Sequence, residues 1–174
     1  MSRLPRWRRL LGGEQLPDGF AGRLDAEERV LAVAEMVGGG HLVVTSYGVW
    51  LPDGRRIGWQ LVSKATWSDG TLTVVEAEEF DSTGEVVLLR DLPPRRLRLT
   101  EPGGVPEAVY KRVESSIRYR HHRELPGGGA WFVQRSVPGR DGLLLQVRAD
   151  PGTDLAAVRR VATEVAGKLR QARD

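Results

Sequence analysis

Between residues 29 and 100, apolar and β-branched residues fall in short, closely spaced runs separated by turn-forming residues. The runs are "RVLAVAEM" (29–36), "HLVVTSYGVWL" (41–51), "RRIGW" (55–59), "ATWS" (65–68), "TLTVVEAE" (71–78), "EVVLLRDL" (85–92) and "RRLRLT" (95–100). Gly38-Gly39-Gly40, Pro52-Asp53-Gly54, Asp69-Gly70, Ser82-Thr83-Gly84 and Pro93-Pro94 punctuate them. Asp69-Gly70 suits a type I′ turn, whose two central residues need positive φ. Strands joined at such spacing pair antiparallel and predict a sandwich or a small barrel. After Pro102-Gly103-Gly104 the period changes: Val105, Val109, Val113 and Ile117 recur every fourth residue, and Pro106 stands where a first helical turn tolerates proline. "LPGGGA" (125–130) breaks the chain again. A predicted hairpin, "WFVQRSV" (131–137) and "LLLQVRA" (143–149), then leads to a last amphipathic helix with Leu155, Val158, Ala162, Val165 and Leu169 on one stripe.

The predicted order is therefore seven antiparallel strands, a helix, and a ββα unit. The stretch "LVVTSYGVWLPDGRRIGWQLVSKATWSDGTLTVVE" (42–76) resembles the bacterial pleckstrin-homology-like (PH-like) and GRAM-like pattern. In that pattern a strand ending in Thr is followed by an aromatic or aliphatic strand, a "DGRRI" turn, a short "LVSKATW" segment and a Gly-punctuated strand. The likeness is one of hydrophobic rhythm and covers residues 25–123 at most. The chain as a whole also resembles a family of uncharacterised actinobacterial proteins. The resemblance implies a mainly β (α+β) fold, a PH-like antiparallel barrel of about seven strands with a C-terminal capping helix. The division expected along the chain is a basic N-terminal arm (1–23), the barrel with its helix (24–124) and a ββα extension (125–174). The extension's helix needs its stripe covered, by the barrel or by a second subunit in a homodimer.

Of 174 residues, 40% are hydrophobic and 28% charged, as in ordinary soluble domains. No cysteine is present, which excludes disulfides and thiolate metal sites and suits a cytoplasmic location. No apolar run reaches the roughly 18 residues that a membrane-spanning helix needs. "MSRLPRWRRLLGG" begins with positive charge but has only Leu10-Leu11 as an apolar stretch, so export is not expected. Charge is segregated along the chain. Residues 1–24 carry net +3, residues 25–110 net −6 and residues 111–174 net +6, within a total of +3.

"SIRYRHHREL" (116–125) packs three arginines and two histidines into ten positions. Continued as a helix, it sets Lys111, Arg118 and His122 on the side opposite Val105, Val109 and Val113, while Arg120 and Arg123 project back toward the apolar side. Either the helix ends near Tyr119 or these two arginines run out along the barrel rim. His121 and His122 diverge by about 100° on a helix, so they do not share a metal. The expectation is a helix end with an exposed basic face, which is solvated or serves as a docking surface for an anionic partner.

PH domains that bind phosphoinositides commonly use basic residues around the first hairpin. The matching loop here, "VGGGH" (37–41), offers glycine and one histidine, so the resemblance implies the fold without that ligand. In "RWRRLL" (6–11), Arg6, Trp7, Arg8 and Arg9 form either an arm folded on the barrel or a tether to an anionic surface. Arg96 and Arg98 alternate with Leu97 and Leu99 and are expected to face solvent. Trp50, Trp59, Trp67 and Trp131 lie in strand patterns and are expected in the core. No phosphate-binding loop or nucleophile elbow occurs, and the adjacent carboxylates Glu27-Glu28 and Glu78-Glu79 diverge on any regular element.

These observations predict a non-catalytic cytoplasmic adaptor with no cofactor or metal. The adaptor binds another protein through barrel edge, arm or basic helix. The alternative is a binder of nucleic acid or acidic lipid headgroups. Candidate contact residues are Arg6, Trp7, Arg8, Arg9, Lys111, Arg118, His122 and Arg123.

Overall fold

The structure is a computed structural model and describes residues 15–174. It is mainly β, with eleven strands and two α-helices among the described residues. They fall into two compact units. The first comprises residues 15–76 with Pro93–Ser115, and the second comprises Ala77–Leu92 with Ser116–Asp174.

In the first unit the strands are β1 (Val30–Met36), β2 (His41–Thr45), β3 (Gly48–Trp50), β4 (Arg56–Gly58), β5 (Val62–Ser68), the first half of β6 (Thr71–Thr83) and β8 (Arg95–Glu101). They hydrogen-bond in the order β4-β3-β2-β1-β8-β6-β5, every pair antiparallel. The path has two ends, β4 and β5, and no pairing joins them among the described residues. The β5–β6 turn is the expected one, with Asp69 at φ 50° and Gly70 at φ 72°. The run 41–51 forms two strands, because Ser46 and Tyr47 bend the chain between them.

Leu16, Phe20 and Leu24 pack on Val30, Val43 and Trp50, with Phe20 set edge-on to the Trp50 ring at 5.3 Å. Gly22 permits this approach, since a Cβ there would drive into the Trp50 ring. On β8, Leu97 and Leu99 are buried while Arg96 and Arg98 face water, as the alternation predicts. Helix α1 (Val105–Ser116) buries Val105, Val109 and Val113, the expected stripe.

The second unit holds the rest of β6, then β7 (Val86–Asp91), β9 (Ile117–Leu125), β10 (Gly128–Ser136), β11 (Leu143–Ala149) and helix α2 (Leu155–Gln171). The strand order is β6-β7-β11-β10-β9. The β7–β11 pair is parallel and the others are antiparallel, so the sheet is mixed. Val158, Val161, Ala162 and Ala166 of α2 close over Val86, Leu88, Ala130, Phe132 and Val147. Asp154 caps the helix by accepting from the Ala156 amide at 2.9 Å, and Lys168 and Arg170 stand at its carboxyl end, where the helix dipole favours cations.

Three expectations are corrected here. The basic stretch 117–125 is strand β9 and does not continue α1. Helix α1 stops at Ser116, whose hydroxyl accepts from the guanidinium of buried Arg135 at 2.7 Å. Pro126-Gly127 then forms a two-residue turn with Gly127 at φ 84°, and β9 pairs along β10 from Leu125↔Gly128 to Ile117↔Arg135. Strand β9 thus adds to the first strand of the predicted hairpin. Leu155 is 45% exposed although it lies on the helix face of Ala162 and Ala166, because it is the first residue of α2. Trp67 and Trp131 are each 39% exposed. Trp67 sits on β5, which among the described residues pairs only with β6, and the buried tryptophans among those residues are Trp50 and Trp59.

Candidate functional site

Strand β9 is the edge of the second unit's sheet and pairs only with β10 among the described residues. Six of its nine residues are exposed, whereas β10, one strand further in, buries five of nine. The contrast holds on both faces of the sheet. Ala130 and Phe132 of β10 are buried on the α2 side, and Val133 and Arg135 on the other. The accessible surface here is thus little more than one strand wide.

Register with β10 fixes which side chains share a face. Arg120, His122 and Glu124 stand opposite Val133, Trp131 and Gly129. Tyr119, His121 and Arg123 stand opposite Gln134, Phe132 and Ala130. A bulge lies between Tyr119 and Ile117, at Arg118. The strand therefore presents an arginine on each face and a third at the bulge.

Elsewhere in the molecule six arginines form ion pairs among the described residues. Arg55 donates to both oxygens of Glu76 at 2.7 and 2.9 Å, and Arg56 pairs with Asp25 and Glu28. Arg90, Arg148, Arg159 and Arg173 pair with Glu78, Asp91, Asp81 and Glu85 respectively. Arg118, Arg120 and Arg123 have no ion pair among the described residues. Tyr119 beside them is 56% exposed.

His122 has a different role. Its Nε2 lies 2.6 Å from Asp150 Oδ2, and its ring meets Trp131 edge-on at 5.0 Å. Asp150 opens the turn before α2, and that turn is bound to the start of β10. The Gly129 amide donates to Thr153 Oγ1, the Thr153 hydroxyl donates to the Gly129 carbonyl, and the Asp150 amide donates to the same carbonyl. A Cβ on Gly129 would lie 2.5 Å from the His122 ring and 2.7 Å from the Arg123 carbonyl. His122 thus ties the edge strand to the helix entry.

Of the candidate residues, Arg118, His122 and Arg123 share β9. Lys111 is exposed on α1 in the first unit and pairs with Glu107 at 3.0 Å. Arg6, Trp7, Arg8 and Arg9 lie outside the described residues. Helical spacing turned Arg120 toward the core and left Tyr119 and His121 without a role, although all three are exposed. The signal for them was the Pro126-Gly127 turn between two runs, which reads as a hairpin.

Two other constellations carry polar chemistry. The Glu28 side chain is fully buried and accepts from Thr45 Oγ1, Trp50 Nε1, Arg56 Nη1 and the Asp25 amide. With every lone pair occupied, it holds structure together. A shallow cleft of about 430 Å³ in the second unit is lined by Glu79, Glu85, Val87, Arg140, Leu143 and Arg173, among others, and the Glu85–Arg173 ion pair takes up part of its charge. Among the described residues, no three His, Asp or Glu side chains group as a metal site requires, and no helix is long and apolar enough to cross a membrane.

Comparison of the chain with protein-family models, curated proteins and solved structures returns no match.

Proposed function

We propose that the protein is a non-catalytic cytoplasmic adaptor, a PH-like fold with an added strand-rich unit, that binds an acidic protein partner along β9. The antiparallel set β1 to β6 and β8, followed in the chain by α1, supports the PH-like reading. The cysteine-free chain supports the cytoplasm. One observation carries the binding reading. Three exposed arginines, with an exposed tyrosine among them, line an open sheet edge, and none of the three has an ion pair among the described residues.

Charges at an interface rim steer a partner of opposite sign and set its orientation. The test is capture from the native lysate by tagged full-length protein, with nuclease and moderate salt, set beside the variant Arg118→Glu/Arg120→Glu/Arg123→Glu. The expected result is a discrete protein retained by the wild type through both treatments and lost from the variant, whose circular dichroism is unchanged. Retention of the same protein by the variant removes β9 from the binding surface.

The second reading, an anionic-surface binder using Arg6, Trp7, Arg8, Arg9, Lys111, Arg118, His122 and Arg123, draws on Tyr119 and Trp131, exposed aromatics close to arginines. It predicts that all bound material is lost on nuclease or salt treatment.

A further inference from the structure

We infer that the partner binds as an added β-strand: an extended acidic segment that hydrogen-bonds to the open edge of β9. This rests on the reading of β9 as the docking surface and specifies how the surface is used. Three observations lead to it.

First, the open side of β9 is a row of main-chain donors and acceptors with no strand beside it among the described residues. Such a row is a ready template for another strand. The regular stretch Tyr119–Leu125 is long enough for several ladder hydrogen bonds before the bulge at Arg118 ends it.

Second, the exposed surface is little more than one strand wide, because β10 buries five of its nine residues and adds only Gly128 and Trp131 to it. A flat ligand that stacks on a sheet needs exposed side chains on neighbouring strands, as single-stranded nucleic acid does on its aromatic platforms. Here such a ligand would find β9 and one exposed aromatic of β10, Trp131. A strand lying edge-on needs only the edge.

Third, charge selects the occupant. Arg118, Arg120 and Arg123 against Glu124 leave β9 with net +2, histidines neutral. Antiparallel pairing of β9 with a second copy of itself brings two such strands together, and like charges on paired strands oppose association. Residues 1–14 hold four arginines and one glutamate, so they too carry the wrong sign. The acidic run at 76–81 lies within β6, which already pairs with β7. The complementary strand is therefore foreign and acidic. The arginines serve two ends, keeping like edges apart and admitting an acidic one.

The experiment uses the full-length protein and a blocked ten-residue peptide of alternating Glu and Val, followed by fluorescence anisotropy at low and moderate salt. Two further peptides carry N-methyl groups on the odd or on the even residues. In a strand that adds to an edge, alternate amides point at the edge and the others point away. One methylated peptide is expected to bind at least about a hundredfold more weakly, through loss of several ladder hydrogen bonds, and the other within about twofold of the parent. Slowed amide exchange confined to β9 on adding the parent peptide is the accompanying sign.

If both methylated peptides bind like the parent while Arg118→Glu/Arg120→Glu/Arg123→Glu abolishes binding, β9 remains the docking surface and strand addition is overturned. Failure of the parent peptide to bind at low salt overturns the acidic-strand occupant. Tighter binding of a single-stranded oligonucleotide than of the peptide does the same. The lysate capture judges the docking surface independently of all three.

Discussion

Glu28 shows what a single residue contributes that its neighbours in sequence cannot reveal. The pair Glu27-Glu28 reads as two carboxylates that diverge, and they do: Glu27 is exposed and Glu28 is 5% exposed. Its partners lie 17, 22 and 28 residues further along the chain, at Thr45, Trp50 and Arg56. No local pattern announces a contact at that separation, which is why a buried carboxylate went unread. Arg56 also lies 5.3 Å from the Trp50 ring, so charge, hydrogen bonds and an aromatic face meet at one point. Replacing Glu28 by alanine strands the Trp50 indole N–H, leaves the Thr45 hydroxyl only the Gly48 carbonyl at 3.3 Å, and leaves the partly buried Arg56 guanidinium with Asp25 alone. The expected loss is about 3 kcal/mol, near the lower bound for a broken buried pair because Arg56 keeps some contact with water. Urea unfolding of Glu28→Ala measures it, and a loss under about 1 kcal/mol would show the network to be dispensable.

At the scale of elements, most of the strands up to β8 were legible because turn residues with a specific conformational task bound them, although the run 41–51 is two strands and β6 runs on to Thr83. Strand β9 was not. The fourfold spacing of Val105, Val109, Val113 and Ile117 carries a helical reading past Ser116, and the arginines that follow suit an exposed helix face as well as an exposed strand. What decides is pairing with β10, a tertiary contact that overrides a weak local preference. The close seat of β9 on β10 depends on Gly129, where any Cβ meets the Arg123 carbonyl at 2.7 Å. That oxygen is backbone and does not rotate away. Gly129→Ala is thus expected to destabilise by about 2 kcal/mol, typical of an overpacked site. It should also speed amide exchange in β9 ahead of β7 and β11. Equal acceleration in all three strands would mean that β9 does not open separately. The helix entry gives a smaller effect. Asp154→Ala removes the cap on α2 and is expected to cost about 1 kcal/mol, read as a lowered urea midpoint.

Across the whole molecule, the charge map was readable from the sequence, but the pairing of particular charges was not. The acidic run on β6 is met by arginines from separate parts of the chain: Arg55 for Glu76, Arg90 for Glu78 and Arg159 for Asp81. The parallel pairing of β7 with β11 joins residues 86–89 to 145–148, which no turn signal foretells. These ion pairs make a statement about acid stability. Hydrogen bonds from Arg55 hold the Glu76 carboxyl below its ordinary value of 4.5, against an opposing push from burial and with further help from the Arg55 and Arg95 charges. Hydrogen bonds from Arg159 and from the Ser82 amide likewise hold Asp81 below its ordinary 3.8. A carboxyl whose value is lower in the folded than in the unfolded state binds fewer protons when folded. Its stabilisation is complete above the unfolded value and drains away as pH falls from about 4.5 through the folded value. Glu76→Gln is therefore expected to destabilise at pH 7 by about 1 kcal/mol, a figure held down because Arg55 stands nearly half in water. The gap between variant and wild type should narrow between pH 5 and pH 3. Urea midpoints at pH 7, 5, 4 and 3 test this. A gap that stays constant down to pH 3 would mean that Glu76 acts through packing and not through its charge.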